Sequence, residues 1–252
     1  MGRGARQHRR HGHLADVHAL DHLDDLANLA NLANLEAIRD HDQARRRADD
    51  HAAHSREDTG HGADGTRPGH RPRLGGVTGC GNPRPTQVML TFDDGGPQAP
   101  ALLAILDRYG LKARWFPTGE WAGAHASFIA QLNADGQMLG NHTYSHPQMF
   151  KALGTDELNR QITLGYHPST ILRFPYGASD AVSRELVRSA GYAICGWNID
   201  TNDWRGNDAA TITQIVTGQA RQGSVVLMHM TFQADVDALP TIITTLRSRG
   251  LI

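Results

Sequence analysis

The chain has 252 residues and a formal net charge of −1, with 39% hydrophobic and 6% aromatic residues. A balance this close to neutral carries no polybasic or polyacidic bias that would point to nucleic acid or a membrane surface. No apolar run reaches the roughly 20 residues that a bilayer span needs. Two cysteines, Cys80 and Cys195, are too few for a disulfide scaffold and lack metal-site spacing. A single bridge between them stays open.

These averages hide two kinds of polypeptide. Every aromatic residue lies at or after Phe92, and ten of the fifteen histidines precede Leu74. Residues 1–76 are rich in Arg, His, Asp, Ala and Gly, and cannot bury enough apolar surface to offset ordering entropy. A disordered or partly helical tail is expected. Its one apolar pattern runs Leu14, Val17, Leu20, Leu23, Leu26, Leu29, Leu32, Leu35, Ile38. A period of three slips about 60° at each step of an α-helix, so the stripe winds round it and does not suit a coiled coil. The scattered histidines read as biased composition, not a metal site. Lysine occurs only at Lys112 and Lys151 while arginine is abundant, as GC-rich coding DNA produces. The tail is therefore expected to come from an upstream start site or misread frame and to be absent from the working protein. The first residues also lack the apolar core of a secretory signal.

From about Thr86 the texture becomes that of one globular domain, residues 86–252. Residues 87–92 form an apolar, β-branched strand that delivers Asp93 and Asp94 to its C-terminal end, where Gly95 starts a turn. Pro97 then opens a helix carrying Leu102, Leu103, Ile105 and Leu106, closed by Gly110. A strand at 113–116, a helix through 128–132, a strand from 137, a helix at 156–164 and a strand at 170–174 follow. After these come a helix at 180–190, a strand at 192–199, a helix at 208–220, a strand at 224–229 and a helix at 236–249. Gly250-Leu251-Ile252 reads as the start of a further, closing strand. Alternating strands and helices predict parallel βαβ units. The fold class is α/β, a distorted (β/α) barrel of six to seven parallel strands, with its chemistry at the strand C-termini.

Two adjacent carboxylates at a strand end are costly unless something positive lies beside them. After the third strand, His142 and His146 stand four apart, which on one helical turn would face the same way, a familiar metal-ligand spacing. Thr143 stands where the zinc-protease pattern has glutamate. With Asp94 the two histidines make a set with open positions, suited to zinc or another divalent transition metal. Asp93 is left free to take a proton. Arg173, ending the next strand, can hold that carboxylate ionised and oriented. Asp203 and His229, after the fifth and sixth strands, offer a carboxylate to orient an imidazole and raise its pKa, making it a proton donor.

In order, Thr91-Phe92-Asp93-Asp94-Gly95, His142-Thr143-Tyr144-Ser145-His146, Arg173-Phe174-Pro175-Tyr176-Gly177, Asp200-Thr201-Asn202-Asp203-Trp204 and Leu227-Met228-His229 resemble the five motifs of polysaccharide deacetylases, carbohydrate esterase family 4. The resemblance runs from about Gln87 to Ile252. It implies Asp94, His142 and His146 as ligands of a divalent metal, Zn2+ first with Co2+ or Ni2+ as alternatives. It further implies Asp93 as general base, Arg173 as its tether and His229 as general acid positioned by Asp203. Trp204 and Leu227 would wall an acetyl pocket, and the Tyr176 N–H would support the oxyanion. Three departures stand out: Gly96 ahead of Pro97, the Gly165-Tyr166-His167-Pro168 interruption before Arg173, and the final strand.

The expected function is metal-dependent deacetylation of a glycan: chitin, peptidoglycan or O-acetylated xylan. The expected protein is a monomer acting outside the cytoplasm, in the cell envelope or secreted. Two alternatives stay open, hydrolysis of a small cyclic amide on the same fold and non-catalytic glycan binding. Trp121 and Trp204 would suit sugar stacking without excluding the amide, while the joint presence of base, ligands, Arg173, Asp203 and His229 argues against binding alone.

Overall fold

β1, Met89–Asp94, is the central strand of a five-stranded sheet. It is flanked on one side by β2 (Arg114–Pro117) and β3 (Met138–Leu139), and on the other by β7 (Val225–His229) and β6 (Ile199–Asp200), with every pairing parallel. A second sheet pairs β4 (Ile171–Leu172) with β5 (Ala193–Ile194). Asn141, just past β3, forms a parallel bridge with Leu172. The wall therefore continues from β3 into β4 and β5 and lies open between β5 and β6, a distorted barrel of parallel strands as the sequence predicts. The computed structural model describes residues 77–252. The expectations for residues 1–76, including the period-three leucines and the scattered histidines, lie outside the described residues.

Both faces of the central strands are covered, which is why their sequences read as continuous apolar runs instead of alternating ones. Leu90, Phe92, Trp115, Val226 and Met228 pack with Leu102, Leu106, Ile212, Val216, Leu239, Ile242 and Leu246. Those partners come from α1 (Ala99–Arg108), α6 (Ala209–Gln219) and α7 (Gln233–Ser248). Each such fully buried aliphatic or aromatic side chain contributes about 1.5–3 kcal/mol. On the opposite face Met89, Phe116 and Val225 meet Cys80 and Cys195. The two cysteines form a disulfide, Cα–Cα 4.3 Å, tying the turn Val77–Cys80 to the end of β5.

The remaining helices are α2 (Gly119–Ala124), α3 (Ala126–Ala134), α4 (Thr155–Thr163) and α5 (Ala181–Ser189). Local chemistry sets their starts. Thr118 caps α2, Asp208 caps α6, and Asp180 with Ser183 forms a reciprocal capping box on α5. The sequence pattern misses α2, which is short and carries no buried residue.

Two expectations are corrected. Residues 192–199 are not one strand but β5 and β6, in different sheets. Between them the chain leaves the ladder: Gly196 C=O accepts from Arg173 Nη2 at 3.0 Å, and Asn198 Oδ1 accepts from Val225 N–H at 2.8 Å. Residues 250–252 form no strand. Leu251 C=O accepts one backbone hydrogen bond from Val88 N–H at 2.8 Å.

Candidate metal centre and active site

All the motif residues lie at strand ends, but regular strand geometry would send Asp93 and Asp94 to opposite faces. Asp94 escapes that alternation by taking a positive φ of 73°. Both carboxylates then reach the same imidazole: His142 Nε2 lies 3.2 Å from Asp94 Oδ1 and 3.7 Å from Asp93 Oδ2. Gly95, φ 144°, allows the chain to leave at once, since a Cβ there would strike the Trp121 ring.

The histidine segment corrects a further expectation. His142 and His146 do not share a helical turn, because this stretch is irregular, with Thr143 at φ 65° and His146 at φ 61°. Side chains hold the loop in that shape. Asn141 Oδ1 accepts from Thr143 N–H at 2.7 Å, and Gln161 Oε1 accepts from Tyr144 and Ser145 N–H at 3.0 and 2.9 Å. A Cβ on Gly165 would collide with the Asn141 amide, so the interruption before Arg173 leaves room for this scaffold. Among the described residues the non-glycine positions of positive φ are Asp94, Thr143, His146, Tyr176 and Asn202, every one inside a strand-end motif. Strain of this kind persists where surrounding contacts over-determine it, as they do at functional sites.

Asp94, His142 and His146 each aim one ligand atom at a common point, all within 4.8 Å of one another. His146 Nε2 stands 3.0 Å from Asp94 Oδ1. His142 Nδ1 lies 2.9 Å from Arg173 C=O, which fixes the proton on that nitrogen and leaves Nε2 as a lone pair. A lone pair aimed at Asp94 Oδ1, itself buried without a hydrogen-bond partner, is repulsive unless a cation lies between them. The donor set therefore fits a divalent metal.

Arg173 is wholly buried. Its Nη1 donates to Asp93 Oδ1 at 2.8 Å and to Thr91 Oγ1 at 2.7 Å, and Phe116 lies under the guanidinium, 4.3 Å from the ring centroid. The Thr91 hydroxyl in turn donates to Val226 C=O at 2.6 Å. Asp93 has one oxygen held this way and the other turned toward His142. Across the site, His229 Nδ1 meets both Asp203 oxygens at 2.9 Å, while Asp203 accepts the backbone N–H of His229 and of Trp204, each at 2.8 Å. His229 Nε2 faces the centre, 4.0 Å from Asp94 Oδ2. Burial alone would lower the His229 pKa, but the bond and charge of Asp203, with Asp93 and Asp94 adding, push it up to about 9.

The expected pocket residues are spread round this centre. Leu227 is buried on the same face of β7 as His229. Trp204 is 50% exposed and Tyr176 66% exposed, the latter with its ring 4.5 Å from that of His146. The structure thus brings Asp93, Asp94, His142, His146, Arg173, Asp203 and His229 together, with Tyr176 exposed beside His146, Trp204 exposed next to Asp203 in the chain, and Leu227 buried in the strand that ends in His229. Thr91, Asn141, Gln161 and Asp235 escaped the sequence reading. Thr91 and Asn141 sit inside or beside quoted motifs, whereas Gln161 and Asp235 carry no sequence signal.

Comparison with known proteins identifies the family and the fold. A family model for polysaccharide deacetylase matches residues 81–195. A peptidoglycan-N-acetylglucosamine deacetylase of Bacillus cereus is 37% identical over 179 residues, covering 65% of this chain; the chain spans 64% of that protein's length. A crystal structure of a peptidoglycan N-acetylglucosamine deacetylase superposes with a TM-score of 0.62 at 35% identity, covering 66% of this chain and 83% of that one. A family 4 carbohydrate esterase from Streptomyces lividans in complex with acetate gives 0.62 at 30% identity, covering 66% and 90%. The chain belongs to the polysaccharide deacetylase family, carbohydrate esterase family 4.

Proposed function

We propose that the protein hydrolyses acetyl groups from a glycan, with Asp94, His142 and His146 holding a divalent cation, zinc by donor preference. The observation that carries this reading is a second carboxylate, Asp93, lying free beside that triad and locked by a buried arginine. A cation held there supplies Lewis acidity to the acetyl carbonyl and lowers the pKa of water.

The chain's own groups do the rest. Asp93 takes the proton from the attacking water; its second oxygen is oriented because the first is fixed by Arg173. The Tyr176 N–H, presented by a left-handed residue in the turn Pro175–Gly177, stabilises charge on the former carbonyl oxygen. His229, charged and aligned by Asp203, protonates the departing amine or alcohol. Leu227, buried on the His229 face of its strand, would wall the acetyl methyl group, and the exposed side chains of Trp204 and Tyr176 would stack against sugar rings.

The named specificity of the Bacillus cereus relative favours N-acetylglucosamine of peptidoglycan as substrate, and hence action at the cell envelope. No helix among the described residues is long and apolar enough to cross a membrane. The test is acetate release from peptidoglycan fragments, chitin oligosaccharides and acetylated xylan, run beside a small cyclic amide. Acetate from a glycan supports the reading. Turnover of the amide alone, or glycan binding without acetate, overturns it.

A further inference from the structure

Behind the Asp203–His229 pair lies another acid. Asp235 sits in the first turn of α7 and is wholly buried. As a carboxylate it has no hydrogen-bond donor for either oxygen, one of the least favourable arrangements a folded chain can hold. As a carboxylic acid it gains a partner: the His229 N–H nearby is already given to Asp203 Oδ2 at 2.8 Å, and the Asp203 carboxylate is the acceptor beside Asp235. Asp203 already accepts from His229 Nδ1, His229 N–H and Trp204 N–H, and a carboxylate has about four acceptor positions, so one remains.

We propose that Asp235 retains its proton and donates it to Asp203, making Asp235 a positioning residue in an Asp235–Asp203–His229 chain. This rests on the reading of His229 as general acid. The titratable groups facing Asp235 are Asp203, from the turn Asp203–Arg205, and His229, from β7. Asp237 on the same helix is exposed and bonds Gln233, and the nearby Ala238 and Leu239 are apolar. Burial, with the Asp203 charge adding, holds the Asp235 carboxyl up at about 10. Asp203 moves the other way: burial works upward, but the hydrogen bonds from His229 and Asp235 prevail. One proton between two acids thus leaves Asp203 charged and fixed, with its plane set from behind by Asp235 and read in front by the imidazole.

The experiment compares wild type, Asp235→Asn and Asp235→Ala in the full chain loaded with zinc. Asn keeps an N–H donor to Asp203, whereas Ala removes it. Infrared difference spectra of wild type against Asp235→Asn at neutral pH should contain the C=O stretch of a protonated carboxyl. A carboxyl raised on folding binds its proton in the native state between its free value of 3.8 and about 10. Wild type should therefore lose stability relative to Asp235→Asn as pH rises through that window. Asp235→Ala should lose about 10-fold or more in kcat with KM and bound zinc unchanged, and Asp235→Asn should recover most of it. A missing carboxyl band, a stability difference flat with pH, or an Asn variant as slow as Ala overturns the proposal. A wild-type protein that carries the band yet releases no acetate contradicts the deacetylase reading alone.

Discussion

Asp93 and His229 are direct partners in the register of two adjacent parallel strands, β1 and β7. Their side chains leave the same face of the sheet about one strand spacing apart. The proposed base and acid are thus positioned by backbone hydrogen bonds, with Arg173 steadying one and Asp203 the other.

Asp93→Asn keeps the shape and loses the proton acceptor. Turnover should fall about 10²–10⁴-fold while bound metal stays at the wild-type level. Acetate assays paired with metal analysis decide it, and an active Asn variant rules out Asp93 as base.

Asp94→Ala should abolish metal binding. Because position 94 has a φ of 73°, which alanine tolerates poorly, Asp94→Asn is the companion variant; asparagine accepts that conformation and should retain the fold while weakening the metal. Calorimetric zinc titration of both reads the outcome, and wild-type affinity in both would remove Asp94 from the ligand set.

Arg173→Lys is not a mild change. One ammonium cannot serve Asp93, Thr91 and Gly196 from a planar fork. Breaking a buried pair costs about 3–5 kcal/mol, so denaturant unfolding should show a large loss of stability together with lost turnover. A variant as stable and active as wild type would contradict the tether.

The Cys80–Cys195 bridge spans 115 residues of sequence and lies against the same arginine, whose Nη2 is 3.3 Å from Cys195 Sγ. Replacing both cysteines with serine should lower stability by about 2–5 kcal/mol, read by denaturant unfolding. No change would mean that the covalent link adds nothing to the native fold.

His229 gives the pH dependence its sign. Its folded pKa of about 9 lies above the ordinary 6.5, so the proton and the stability it brings are fully present below 6.5 and lost as pH rises through about 9. An acid catalyst must be protonated, so kcat should fall on the alkaline side of that window. A cation on Asp94 would cancel that residue's share, smaller than that of Asp203, and so lower the limb only part of the way. Asp203→Asn should lower it further. An alkaline limb unmoved in Asp203→Asn would count against His229 as the titrating group.

Much of the site is legible in the sequence because the motifs end strands, and strand ends share one rim in this architecture. Apolar runs ending in Asp93, Arg173 or His229 announce themselves. Less legible is how the ligands converge. The i, i+4 spacing of His142 and His146 suggests a helical turn, whereas the structure uses left-handed residues braced by Asn141 and Gln161. The break between β5 and β6 is hidden for a related reason: what ends the ladder is a guanidinium from another strand claiming the Gly196 carbonyl. Asp235, one acid on an amphipathic helix, differs from its solvated neighbour Asp237 only through tertiary burial. Tertiary contacts decide all three, and no local pattern encodes them.

The most direct measurement is anomalous diffraction from crystals of the zinc-loaded protein. The account predicts one strong peak about 2.0–2.2 Å from a ligand atom of each of Asp94, His142 and His146, with Asp93 uncoordinated and still bonded to Arg173. No peak at that point, or a peak that takes Asp93 as a ligand, contradicts it.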